Sequence, residues 1–135
     1  VWGLAAHLRE RASAGERVVL LVPNGPDLVV GLLAAMAAGL VAVPVYPPRR
    51  NRKAERLHAI LADCRPRVVL TTAELAATPE VADLAGGGVA VVAADHGWAA
   101  CQPHGPGADP AAVAFLQYTS GSTGTPKGVA ITHGG

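Results

Sequence analysis

Apolar positions in this chain alternate between two rhythms. Trp2, Leu4, Ala5, Leu8 and Ala12 recur at helical spacing, and Gly15 punctuates the end of that segment. Residues 17–22 then form a continuous apolar run after one charge, which predicts a strand covered on both faces. Asn24-Gly25-Pro26 is a turn into a helix reaching about Ala38, with Pro26 near its first position, Asp27 in its first turn and Gly39 as its stop. That helix is apolar nearly all round, so cover on several sides is expected. Residues 40–45 are the next strand, ended by Tyr46-Pro47-Pro48. A helix over 53–63 turns Ala54, Leu57, Ile60, Leu61 and Cys64 inward. Strands follow at 68–71 and 89–93, with a short helix near 79–84 and a glycine loop at 86–88 between them. A connecting loop spans 95–109, and the last two strands are expected at 112–118 and 129–132.

Strands and helices thus alternate through most of the length. The pattern predicts an α/β fold with a largely parallel sheet and flanking helices. In such sheets ligands bind at the carboxyl ends of strands, and the segment 117–129 lies just past the fifth strand.

Composition narrows the classes. The 135 residues suit one domain or a piece of a larger one, and half are hydrophobic with only 4% aromatic, so the core is aliphatic. Eleven Lys and Arg balance ten Asp and Glu, which gives no field favouring nucleic acid or an anionic membrane. The most apolar stretch, 28–45, is broken by Gly31, Gly39 and Pro44 and is short for a membrane span. Cys64 and Cys101 form no C-x-x-C pair, and structural thiols in a reduced, cytoplasmic setting are expected. The chain opens at Val1 inside a helical pattern and stops at Gly135, where a strand would hand over to a helix, so a piece of a longer protein is expected.

The segment QYTSGSTGTPKGV, 117–129, carries the chemistry. Phosphate oxygens need many donors, and backbone amides supply them where the chain turns sharply. Gly121 and Gly124 permit such turns, and successive amides can form an anion-binding nest. Thr119, Ser120, Ser122, Thr123 and Thr125 add hydroxyls, and Lys127 adds a positive charge that can reach a terminal phosphate. The common nucleotide P-loop does not fit, because Pro126 stands where its second glycine is required and Gly128 where Ser or Thr is required. No G-x-G-x-x-G fingerprint is present. Spacing alone leaves a phosphate loop of another type, or a flexible connector.

Residues 118–129 resemble the signature phosphate loop of the adenylate-forming superfamily, without a gap and with Thr132-His133 behind them. Phe115 to Gly124 (FLQYTSGSTG) and the segment from Gly39 to Thr72, with its Val-Pro-Val-Tyr-Pro-Pro entry, resemble fatty acyl-AMP ligases and the loading domains of polyketide and lipopeptide synthases. The likeness runs from about Arg17 onward. It implies the N-terminal portion of an AMP-binding domain, incomplete and truncated just after the phosphate loop. It also implies ATP-dependent activation of a carboxylic acid, a long-chain fatty acid in this subfamily, to acyl-AMP with pyrophosphate release. Transfer to the phosphopantetheine thiol of an acyl or peptidyl carrier protein would follow. Acyl-CoA synthetases and amino-acid adenylation domains share the loop, and a non-catalytic nucleotide-binding module is the alternative of another class. Phosphate contacts carry over to Thr119, Ser120, Gly121, Ser122, Thr123, Gly124, Thr125 and Lys127, with Lys127 stabilising charge. The family's acyl pocket, Mg2+ ligand and mobile lysine lie downstream of this motif, so the 135 residues alone are expected to be inactive and to hold no metal.

Other residues read more plainly. Arg49, Arg50, Arg52, Lys53 and Arg56 form either a solvated loop or a dock for the acidic surface of a carrier protein. His7, His58, His96, His104 and His133 lack metal spacing, and His133, which travels with the motif, suits capping or packing. No close carboxylate pair suggests acid–base work. Trp2 and Trp98 are expected to pack, Tyr46 to lie beneath the proline pair, and Tyr118 to hold the hinge of the phosphate loop.

Overall fold

The computed structural model describes residues 1–47, 55–95, 97–99, 102, 107–120 and 124–135. In chain order the elements are α1 (Trp2–Arg9), β1 (Arg17–Leu21), α2 (Pro26–Ala37), β2 (Val41–Pro44), α3 (Glu55–Cys64), β3 (Val68–Thr71), α4 (Ala73–Ala76), α5 (Pro79–Gly86), β4 (Ala90–Ala93), β5 (Val113–Ser120) and β6 (Pro126–Thr132). The six strands form one sheet in the order β4-β3-β1-β2-β5-β6. Every pairing is parallel except β5 with β6.

Side-chain alternation along β1 divides the core into two layers. Val18 and Leu20 point toward α1 and α2, where they meet Leu4, Leu8, Ala34 and Ala35. Val19 and Leu21 point the other way, onto Leu57 and Ile60 of α3 and Val81 of α5. All four β1 residues are fully buried, and each is worth about 1.5–3 kcal/mol of transfer free energy. The buried Thr71 hydroxyl is satisfied by donating to the Leu21 carbonyl at 2.8 Å.

Local signals place the helix ends. Gly39 adopts φ +76°, and two reversed hydrogen bonds, Gly39 N–H to Met36 O and Leu40 N–H to Ala35 O, close α2. At the end of α3, Arg17 Nε donates to the Cys64 carbonyl at 2.6 Å, which ties that helix to the start of β1. α4 was not expected from sequence; its four residues are started by Thr72, whose hydroxyl accepts from Leu75 N–H.

Several expectations are corrected. α2 is not covered on several sides: Gly31, Ala34 and Ala35 face the core, while Val29 and Leu33 are 56% and 48% exposed. Gly31 accounts for the close approach, since a Cβ there would sit 2.8 Å from Leu70 Cδ2. α5 continues to Gly86, which shortens the glycine loop. β5 runs to Ser120 instead of ending at Tyr118, and β6 starts at Pro126 instead of Val129. Tyr46 is 76% exposed instead of packed, and Pro48 lies outside the described residues. Arg49, Arg50, Arg52, Lys53, His96, Cys101, His104, Gly121, Ser122 and Thr123 lie outside the described residues. Among the described residues, no helix is long and apolar enough to cross a membrane.

Candidate phosphate-binding site

The chain leaves β1 through α2 on one face of the sheet and leaves β2 through α3 on the other. A crevice therefore opens between the carboxyl ends of β1 and β2, as it does wherever crossovers diverge in a parallel sheet. It holds a pocket of about 220 Å3 with Leu28 and Ile60 on its walls and the polar groups of Asn24, Tyr46, Arg56 and Gln117 around it. The β5–β6 hairpin rises beside it.

The hairpin holds the sequence motif. Antiparallel register pairs Tyr118 with Gly128, Thr119 with Lys127 and Ser120 with Pro126. The stretch that reads as one long loop is thus half ladder, and only 121–125 lies between the strands. Pro126 sits at the first position of an edge strand, where its missing N–H costs little. Thr119 and Lys127 are exposed cross-strand partners, so their side chains leave the same face. Gly124 takes φ +77°, in the left-handed region that favours glycine, and Thr125 beside it is exposed. The structure therefore brings Thr119, Gly124, Thr125 and Lys127 to one hairpin end, with Ser120 as its last β5 residue.

Below the loop, Tyr118 is 6% exposed, and its hydroxyl donates to Asp63 Oδ2 at 2.5 Å. Burial, and then the bond to Asp63, push the phenol well above its ordinary pKa, so it remains a donor. Arg56 Nη2 donates to the Tyr118 carbonyl at 3.4 Å. Asp63 is a residue that sequence reasoning missed, and Arg56 was read as part of a solvated loop or of a dock for an acidic carrier surface. Their seven-residue spacing sets them two helical turns apart on one face of α3.

The remaining candidates are structural. Cys64 is buried, and burial raises its thiol to about 11, partly opposed by Arg17, so it is no nucleophile at neutral pH. His7 packs on Trp98 with ring centroids 4.6 Å apart. His133 donates its backbone N–H to Ala112 O at the foot of the hairpin. Among the described residues, no group of three or more His, Cys, Asp or Glu side chains could hold a metal ion.

A family profile described as AMP-binding enzyme matches residues 2–135. The chain is 37% identical over 136 residues to the long-chain fatty-acid–AMP ligase FadD32 of Mycolicibacterium smegmatis, covering 96% of this chain and 22% of that protein. The crystal structure of the fatty acyl-adenylate ligase from L. pneumophila in complex with acyl adenylate and pyrophosphate superimposes with a TM-score of 0.76 at 32% identity, over 97% of this chain and 23% of that one. The structure of McyG A-PCP complexed with phenylalanyl-adenylate gives 0.76 at 25% identity, over 97% and 22%. The chain thus spans under a quarter of the length of each of these relatives.

Proposed function

The chain belongs to the AMP-binding enzyme family, and on that premise we propose that it is the N-terminal portion of an adenylation domain that activates a carboxylic acid with ATP. A long-chain fatty acid is the proposed substrate, since FadD32 is named for that reaction and the whole chain is similar to it. A carboxylate oxygen attacks the α-phosphorus, the bond to the bridging oxygen breaks, and acyl-AMP and pyrophosphate result. Negative charge grows on the departing pyrophosphate. Donors aimed there stabilise the transition state more than the ground state. The observation that carries this reading is the hairpin end, where Thr119, Gly124, Thr125 and Lys127 meet at the carboxyl edge of a parallel sheet. Gly121, Ser122 and Thr123 complete the proposed cradle by sequence. Mg2+ accompanying ATP finds no ligand cluster among the described residues, and its protein ligands are proposed to lie outside this segment.

The acyl group is then proposed to pass to the phosphopantetheine thiol of a carrier protein in the cytoplasm. The named A-PCP relative pairs an adenylation domain with such a carrier. The 135 residues alone are proposed not to catalyse, because they comprise under a quarter of the relatives' length.

The deciding assay gives the full-length gene product ATP, Mg2+ and a labelled long-chain fatty acid, with and without coenzyme A, and separates the products. Accumulating acyl adenylate that coenzyme A does not consume is the expected result. Acyl-CoA would move the protein to the synthetase branch. No product with any carboxylate in a pyrophosphate-exchange screen would leave a nucleotide-binding module without chemistry.

A further inference from the structure

The phosphate hairpin has little sheet to hold it upright. Parallel register sets Phe115 opposite Ala42, which brings Pro44, the last residue of β2, level with Gln117. Tyr118, Thr119 and Ser120 therefore project past the end of the neighbouring strand. β6 is the outermost strand of the sheet, and residues 127–130 along it are exposed. The angle of the projecting stem must be set from elsewhere.

Tyr118 reaches that other support. Its side chain lies along α3, with its carbonyl near Arg56 and its hydroxyl on Asp63, seven residues further along the same helix face. Seven residues of helix span about 10 Å, and the Arg56 and Asp63 side chains bridge that span to the two ends of Tyr118. The ring also fills the space over Gly128 on β6: a Cβ there would lie 3.0 Å from Tyr118 Cζ and 3.2 Å from its oxygen. One side chain thus ties α3, β5 and β6 together directly beneath Thr119 and Lys127. α3 is itself fixed to β1 through Arg17 and Cys64.

We propose that Asp63 is a positioning residue for the phosphate loop, acting through the Tyr118 hydroxyl to hold the β5–β6 stem at the height where Thr119 and Lys127 meet the nucleotide phosphates. The role of these phosphates rests on the adenylate-forming reading above; the mechanical role of Asp63 does not.

The test compares Tyr118→Phe, Asp63→Ala, their double variant and Asp63→Asn in the full-length gene product. Each single variant is expected to raise KM for ATP about tenfold, the loss of one charge-assisted hydrogen bond, while KM for the carboxylate stays within about twofold. The double variant should lose no more than either single one, because both remove the same contact. Asp63→Asn keeps an acceptor oxygen and should stay near the wild type. Additive losses, equal shifts in both KM values, or a lowered melting temperature with unchanged KM for ATP would overturn the proposal. Should the parent form no adenylate at all, amide hydrogen exchange over 117–129 reads the stem directly. Faster exchange there in Asp63→Ala, with β1 and β3 still protected, upholds the positioning role while the adenylation reading falls. Unchanged exchange overturns it.

Discussion

Lys127 is an exposed residue of the edge strand β6, set opposite Thr119 in the ladder. Its ammonium is therefore available for chemistry and dispensable for folding. On the adenylation proposed above, Lys127→Met in the full-length gene product should lower kcat about 100-fold with an unchanged melting temperature, a split that steady-state kinetics and calorimetry can check. Cys64 makes the opposite case. Its thiol is raised from 9.0 to about 11 by burial, so the folded state holds the proton more tightly than the unfolded one. The resulting stability is complete below the unfolded value near 9 and is lost as pH climbs toward 11. Urea midpoints should fall across that window, and Cys64→Ala should flatten the fall. A thiol reagent at pH 8 should leave Cys64 unmodified until the chain is unfolded.

The β5–β6 hairpin shows which contacts an element depends on. Gly128 is there because the Tyr118 ring occupies the place of its side chain. Gly128→Ala must push a ring that is pinned at its far end by Asp63, and a cost of about 1–3 kcal/mol is expected in denaturant titration. β1 was legible in sequence because both its faces are buried and every position after Arg17 is apolar. The hairpin was misjudged because Thr119, Ser120, Pro126 and Lys127 have loop-like side chains while their backbones pair as strand. α4 escaped notice because four residues show no period, and only the Thr72 cap marks it. The donors of the proposed site were named from spacing and resemblance. Asp63 could not be, because its partner lies 55 residues away and only the packing of α3 beside the hairpin brings them together.

Across the whole molecule the two layers are unequal. α3 presents a narrow apolar face, whereas α2 leaves Val29 and Leu33 exposed on a helix with little polar surface. Exposed apolar side chains on one helix favour self-association of the 135-residue chain. Leu33→Lys should reduce light scattering at high concentration without lowering the urea midpoint, because Leu33 is already about half exposed. Strand order has a further consequence in time. β1, β2 and β3 find one another across short crossovers, but β5 must dock on the edge of β2, about seventy residues earlier in the chain. Closing so long a loop is repaid only once the β2 edge exists, so the phosphate hairpin should be the last part to assemble. Changes at Tyr118 should then speed unfolding, raising the unfolding arm of a chevron, and leave the folding arm almost unmoved. The segment proposed to grip the nucleotide would be the first to let go when the protein opens.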